Sequence, residues 1–227
     1  MQEAIKLAEA GMQSGHGGPF GCVIVRAGEI VGRGHNRVTS TNDPTAHAEV
    51  TAIRDACANL ETFQLTDCEL YTSCEPCPMC LSAIYWARIP TVYYGNTRQD
   101  AAAIGFDDDF IYQQVPLAPE KRAIKMSPLL REACRRLKTF QLDDCDLYTS
   151  CEPCPMCLSA IYWARFRNVF YANTRKDAAR INFDDDFIYR EVALPIGKRE
   201  LKLKQLLRKE ALVAFKEWER KPDKIQY

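Results

Sequence analysis

Four residues in the first half of the chain have the types and spacing of a catalytic metal site. His47 and Glu49 stand two apart, and Cys77 and Cys80 lie in the run PCPMC. One histidine nitrogen and two thiolates suit Zn²⁺, which in catalytic sites takes three protein ligands and keeps a fourth position for water. Zinc lowers the pKa of that water from about 15.7 to about 7. The pattern predicts His47, Cys77 and Cys80 as ligands and Glu49 as the residue that carries protons.

Other uses of the cysteines are open but less favoured. Cys77 and Cys80 could form a redox pair, yet they lack a thioredoxin-like context and continue a longer series that begins at Cys74. Together with Cys154 and Cys157 they could form a four-cysteine structural zinc site. The spacing between the two pairs far exceeds the roughly 15–20 residues of a typical zinc ribbon. A His-x-Glu motif followed by Pro-Cys-x-x-Cys is the signature of zinc-dependent nucleobase deaminases.

Alternating strands and helices must position these residues. Apolar spacing and turn residues predict helices at 2–13, 46–60, 76–87 and 99–104, and strands at 20–25, 29–34, 70–72 and 92–94. The helix at 46–60 would carry the His-x-Glu motif, and the helix at 76–87 would carry both cysteines near its start. An opening hairpin makes the sheet mixed. The predicted fold is therefore a three-layer α/β/α structure with a mixed sheet.

Composition limits the compartment and the partners. Lys and Arg number 30, as do Asp and Glu, so the formal net charge is zero, and this balance argues against a dedicated nucleic-acid binder. No run approaches the roughly 18 apolar residues of a membrane span, and the N-terminus has no signal-peptide pattern. The eleven cysteines are an odd number. Clustered cysteines without a secretion signal favour metal binding in a cytoplasmic location.

A long internal repeat changes the expected organisation. Residues 56–115 (the first repeat) return at 133–192 (the second repeat) with a constant offset of 77 and 15 differences in 60 positions. At that offset His47 and Glu49 correspond to Ile124 and Met126, so the second repeat has a cysteine pair without the histidine or the glutamate. We interpret this as a partial duplication. The predicted division is a deaminase-like core at 1–130 and a partial duplicate at 131–227.

The repeat leaves two ways to complete the site. In one, Cys77 and Cys80 join His47, and the second repeat packs as an appendage or mimics a partner. In the other, Cys154 and Cys157 join His47, and the first repeat is displaced. Loop-closure entropy grows slowly with length and cannot decide between them alone. The uninterrupted helix at 46–60, which leads directly into the first repeat, favours the first, and a packed site cannot hold both pairs with one histidine. About one zinc per chain is expected.

The residues resemble a known family. The segments GGPFG at 17–21, TNDPTAHAEV at 41–50, TSCEPCPMC at 72–80, IYWAR at 84–88 and GFDD at 105–108 are similar to the cytidine-deaminase superfamily. Within it they look like the bacterial guanine deaminases. The resemblance covers residues 1 to about 120 and resumes in the second repeat. It implies a cytidine-deaminase-like fold and the hydrolytic conversion of guanine, a small purine, to xanthine and ammonia with Zn²⁺.

The same resemblance assigns substrate residues and an assembly. Asn36 and Asp108 would read the base, since an amide and a carboxylate match the mixed donor and acceptor edge of guanine, and Phe20 would stack on it or belong to the core. The family pattern also implies a homodimer that exchanges C-terminal segments. Here that segment would be roughly 201–227, a basic stretch that carries Trp218 and Tyr227 as the residues of a lid. The alternative interpretation is an amphipathic helix with a solvated Lys/Arg face, which is compatible with a lid.

Other functions fit the motif less closely. A deaminase of guanosine, cytosine compounds or tRNA adenosine would share the zinc chemistry. A third hypothesis is a catalytically inactive interaction protein stabilised by zinc. Turnover on a panel of amino-bearing bases and nucleosides separates these possibilities.

Overall fold

The computed structural model describes residues 1–127 and 141–225. Its helices of four residues or more are α1 (Gln2–Gln13), α2 (Val38–Thr41), α3 (Ala48–Asn59), α4 (Pro78–Trp86), α5 (Arg98–Ala103), α6 (Asp109–Gln114), α7 (Pro155–Trp163), α8 (Arg175–Arg180), α9 (Asp186–Ala193) and α10 (Arg208–Arg220). The strands are β1 (Gly21–Arg26), β2 (Glu29–His35), β3 (Cys68–Cys74), β4 (Thr91–Asn96), β5 (Lys125–Ser127), β6 (Asp146–Cys151), β7 (Asn168–Asn173) and β8 (Lys202–Gln205).

The larger of the two sheets is mixed and has five strands in the order β2-β1-β3-β4-β8. Strand β1 is antiparallel to β2 and β3, whereas β3, β4 and β8 run parallel. Ala27 and Gly28 close the predicted hairpin with φ values of 51° and 86°. Positive φ at both central residues is the geometry that matches the twist of a two-residue hairpin.

Helices cover both faces of this sheet. Helices α1 and α10 contact each other and the strands on one side, while α3 and α4 pack together on the other. Cys22 and Leu70 join the buried cluster with Ala52 and Leu81 on the α3–α4 side. The predicted three-layer α/β/α fold with a mixed sheet is confirmed.

The second repeat forms a smaller parallel sheet in the order β5-β7-β6. Its elements β6, α7, β7, α8 and α9 reproduce β3, α4, β4, α5 and α6 in the same sequence. Helix α7 packs against α4, so the two repeats meet through their cysteine-bearing helices. No strand corresponding to β1 or β2 joins this sheet within the described residues.

The two sheets exchange their last strands. Strand β5, which follows the first repeat, pairs with β7 of the second; β8, which follows the second repeat, pairs with β4 of the first. The registers correspond, since Lys125 pairs with Asn168 and Lys202 pairs with Thr91. The helix predicted over roughly 201–227 is therefore corrected, because this segment opens with a strand and α10 spans only Arg208–Arg220.

The exchange also affects the expected organisation of the chain. Strand β8 and helix α10 come from the range 131–227 but pack on the sheet of the range 1–130. The division at residue 130 remains a prediction about sequence units. Among the described helices, none has the combined length and apolar character that a bilayer crossing requires.

Candidate active site

Two helix starts bring the predicted zinc ligands together. His47 directly precedes α3 and Cys77 directly precedes α4, with Cys80 in the first turn of α4. The Nδ1 atom of His47 lies 3.6 Å from each of the two Sγ atoms. Zinc bound at about 2.05 Å to nitrogen and about 2.3 Å to sulfur, with tetrahedral angles, would place those atoms about 3.6 Å apart. The donor set therefore fits Zn²⁺.

The charges of His47 and Cys77 support each other, whereas burial and the neighbouring Cys77 thiolate raise the pKa of Cys80. Burial disfavours the Cys77 thiolate, but its hydrogen bond with Cys80 and the adjacent His47 ring hold the pKa of Cys77 well below its usual range. Burial opposes the charge on His47 as well, yet the Cys77 thiolate raises the pKa of His47 overall. The other ring nitrogen, Nε2, is buried and has no hydrogen-bond partner among the described residues. Nδ1 is thus the atom that the fold directs to the sulfurs.

Glu49 lies in the first turn of α3, on the wall of the same pocket. The Thr72 hydroxyl on β3 donates a hydrogen bond to its Oε1 atom at 3.0 Å, and both side chains are buried. Burial, together with the nearby Cys77 thiolate, raises the pKa of Glu49. A carboxylate with one oxygen fixed and an elevated pKa is suited to accept and return protons.

Asn36 follows β2 and also lines the pocket. Its Oδ1 atom accepts a hydrogen bond from the Val38 backbone N–H at 3.2 Å, which directs the amide NH₂ away from that contact. Gly17 makes room for this arrangement, because a Cβ atom there would lie 2.1 Å from the Asn36 Oδ1 atom. The GGPFG run of the sequence thus has a local steric reason at Gly17.

Asp108 also lines the pocket and stands just before α6. Burial, followed by the charge of the Cys77 thiolate, raises the pKa of Asp108 to about 8, although Arg98 opposes this shift. Arg98 lines the same pocket and lies over the Tyr112 ring at 4.7 Å from its centroid. The sequence reasoning placed Asp108 in the site but did not identify Arg98.

An aromatic wall closes the pocket on the side of α10. Phe20 meets Phe106 and Phe215 edge to face, with ring centroids 4.9 and 5.5 Å apart. Trp218 is buried behind Phe106, with the two centroids 5.4 Å apart. Trp218 therefore supports the lining and does not itself line the pocket. The predicted lid residue Tyr227 lies outside the described residues.

The second repeat contributes one side chain to this pocket. Trp163, at the end of α7, packs edge to face on His47 with ring centroids 5.0 Å apart. Sequence reasoning missed it, because no motif connects Trp163 to His47. The repeat held a clue, since Trp163 is the counterpart of Trp86, and Trp86 lines a separate pocket with Cys154 and Cys157.

The cysteine pair that accompanies His47 is therefore Cys77 and Cys80. Cys154 and Cys157 line the pocket that Trp86 enters, and His47 does not. Within the described residues, His47, Cys77 and Cys80 are the one group of three or more candidate ligands close enough to hold a metal ion.

Fold and site together define a class of protein. Residues 1–96 and 127–173 match the cytidine and deoxycytidylate deaminase zinc-binding region. The matched ranges make up more than half of the chain, and the chain belongs to this family.

Individual relatives refine the similarity. The chain is 58% identical over 124 residues to guanine deaminase from Bacillus subtilis (strain 168), a match covering 55% of this chain and 80% of the relative. It is 45% identical over 113 residues to tRNA-specific adenosine deaminase from Streptococcus pyogenes serotype M1, covering 50% of this chain and 63% of that protein. The crystal structure of the Bacillus subtilis guanine deaminase superposes with a TM-score of 0.54 at 55% identity, covering 59% of this chain and 83% of that one.

Proposed function

We propose that this chain catalyses the hydrolytic deamination of guanine to xanthine and ammonia. The observation that carries the proposal is the convergence of Glu49, Asn36 and Asp108 on one pocket around His47 and Cys77. Greater similarity to a guanine deaminase than to a tRNA-specific adenosine deaminase supports guanine as the substrate. The family defines the zinc chemistry, and the pocket residues supply the selection of the base.

His47, Cys77 and Cys80 are the proposed holders of Zn²⁺. When bound there, zinc supplies Lewis-acid chemistry that makes water acidic enough to attack at neutral pH. Glu49 takes a proton from the attacking water and delivers it to the adjacent ring nitrogen of the base, as the new C–O bond forms. Glu49 next moves the proton of the added hydroxyl group to the amino group, the C–N bond breaks as the carbonyl forms, and ammonia leaves. Thr72 keeps the carboxylate in place through both transfers.

Asn36 and Asp108 are the proposed base-reading residues. Guanine presents acceptors at O6 and N7 and donors at N1 and its exocyclic amine. The Asn36 amide NH₂ can donate to an acceptor, since the Val38 N–H already occupies its Oδ1 atom. The Asp108 carboxyl can accept from a ring N–H. A pocket with buried groups of this kind rejects bases that leave them unpaired, by about 10⁴–10⁵-fold in well-studied cases.

The aromatic side chains complete the proposed binding site. Phe20 and Phe106 form an apolar wall, and Trp163 forms another beside His47. Apolar and aromatic surfaces of this kind suit the flat faces of a purine. The predicted homodimer with C-terminal exchange remains a prediction, as does the cytoplasmic location. A reducing compartment suits Cys77 and Cys80, because they bind zinc as thiolates.

Ammonia release from a panel of substrates tests the proposal. Purified protein loaded with zinc is incubated with guanine, guanosine, cytosine, cytidine and adenosine, with the Glu49→Ala variant as the matched control. We expect ammonia and xanthine from guanine and none from the control. Preference for a nucleoside, or for cytosine, would refute guanine as the substrate, and silence across the panel would favour the inactive interaction protein.

A further inference from the structure

The two repeats are joined by a reciprocal exchange that needs two copies of the repeat. The first sheet lacks its last parallel strand until β8 arrives from beyond the second repeat, and the second sheet takes β5 in return. The paired positions are related by the same offset of 77 on both sides. The exchange is therefore a symmetrical interface between two like units, and both units belong to one chain.

Polar contacts follow the same symmetry. The Tyr85 hydroxyl donates to the Glu191 carboxylate, which also accepts the Glu200 backbone N–H at 2.8 Å. At the corresponding positions, the Tyr162 hydroxyl donates to Gln114 Oε1 at 3.1 Å, and that atom also accepts the Ala123 N–H at 2.6 Å. Each of these hydrogen-bonded bridges joins one repeat to the other, so the corresponding polar groups on both sides of the interface have partners.

The interface reaches the active site on one side only. Cys77, Cys80 and Val50 form a buried cluster against which Met156 and Trp163 of the second repeat pack. On the other side, Trp86 extends into the pocket of Cys154 and Cys157, where the residues matching His47 and Glu49 are Ile124 and Met126. The first repeat therefore holds the candidate zinc ligands Cys77 and Cys80, and the second repeat contributes part of the wall of their pocket.

We infer that the second repeat acts as a built-in partner subunit, in place of the homodimer predicted from the sequence, so that a single chain completes a site that requires two copies of the repeat. Among its retained elements, α7, α9 and the segment leading to β8 reach the first repeat. Its missing elements are those that would make a second catalytic site. Only the activity readouts below rest on the proposed guanine deamination.

Tagged chains test the inference without any activity assay. Two versions of the chain with different affinity tags are co-expressed and purified on one tag. We expect the second tag to be absent and light scattering to give the mass of one chain, 25.9 kDa. Co-purification of the second tag, or an obligate two-chain mass at nanomolar concentration, would overturn the inference, because the strands would then be exchanged between chains.

Complementation provides a second test when guanine is turned over. Glu49→Gln removes the proton carrier from the first unit, and Trp163→Ala removes the wall from the second. If the exchange occurred between chains, co-expression of the two variants would restore a site with Glu49 from one chain and Trp163 from the other. We expect no activity above that of the separate variants. Restored activity would contradict the built-in partner.

A matched pair of tryptophan variants locates the contribution of the second repeat. Stacking of a base on an aromatic ring contributes about 1–3 kcal/mol, or about 5- to 150-fold. We expect Trp163→Ala to raise KM for guanine within that range at unchanged zinc content, Trp163→Phe to recover most of the loss, and Trp86→Ala to leave KM at the wild-type value. Equal effects at both tryptophans would overturn the inference. If the wild type does not act on guanine, the proposed function fails, and the tag experiment still decides the inference.

Discussion

The first and second repeats have nearly the same sequence and the same local fold, yet only one of them belongs to a complete site. Cys77 and Cys154 both precede a nine-residue helix with the same sequence, and their backbone angles agree within 1°. His47 meets the first pair, whereas no histidine meets the second. A motif is therefore catalytic only through what the rest of the fold brings to it. The paired positions allow this comparison to be tested one residue at a time.

The largest contrast is expected at the cysteines. Cys77→Ser removes a thiolate ligand, and we expect zinc content to fall well below one per chain and turnover to fall to background. Cys154→Ser should leave most of the activity and one zinc, because His47 does not reach it. Metal analysis and ammonia release on both variants, with melting temperatures to verify folding, make the comparison. The reverse pattern would move the site to the second repeat.

Glu49 has no counterpart in the second repeat and gives the next largest effect. Glu49→Gln should keep zinc, since the carboxylate is not a proposed ligand, and should lower kcat by about 10²–10⁴-fold, the usual contribution of a positioned proton carrier. Zinc content and single-turnover rates measured on the same preparation check it. Near-normal turnover would remove Glu49 from the chemistry.

Asp108 and Asp185 occupy corresponding positions in different pockets. Loss of a buried hydrogen-bond partner costs about 1–3 kcal/mol, so Asp108→Ala should lower kcat/KM for guanine by about 5- to 150-fold. Asp185→Ala should have little effect, although Asp185 is also buried. Steady-state kinetics of the two variants side by side provide the test. Similar losses would indicate that both aspartates act through folding.

The smallest predicted contrast concerns Thr72 and Thr149. Thr72→Val removes the hydrogen bond that fixes Glu49, and a contribution of about 1 kcal/mol corresponds to about a fivefold loss in kcat. Thr149 lines the pocket of the second repeat, and the position that matches Glu49 is Met126, so Thr149→Val should leave kcat unchanged. Rescue by Thr72→Ser would distinguish the hydroxyl from side-chain packing, whereas a Ser variant as slow as Val would contradict the positioning role.

Local patterns in the sequence predicted much of the site. Ligands next to predicted helix starts were identifiable because zinc chemistry restricts both residue types and spacing, and the structure brings His47 to Cys77 and Cys80. The alternation of strands and helices likewise predicted the mixed three-layer fold. These features depend on residues close in sequence or on a stated chemical pattern.

Contacts across the repeats could not be predicted in this way. Trp163 packs on His47 although the two residues are 116 positions apart in the sequence. Thr72 on β3 donates its hydrogen bond to Glu49 on α3, a different element of the fold. The apolar spacing near the end of the chain indicates a helix and gives no sign of β8. A strand of four residues is too short to show a clear alternating pattern. These contacts become visible only in the folded structure, where the exchange of β5 and β8 places the two repeats against each other.

The exchange of β5 and β8 also governs when the protein can finish folding during synthesis. Lys202 of β8 pairs with Thr91 of β4, and the two residues are 111 positions apart in the sequence. The first sheet can therefore gain its last strand only after Lys202 has been synthesised. A ribosome adds about 5–20 residues per second, so the incomplete edge of β4 persists for about 5–20 seconds after it emerges. Pairings this distant in sequence also form slowly once available. The edge of β4 is thus a part of the nascent chain that needs protection until β8 has been synthesised.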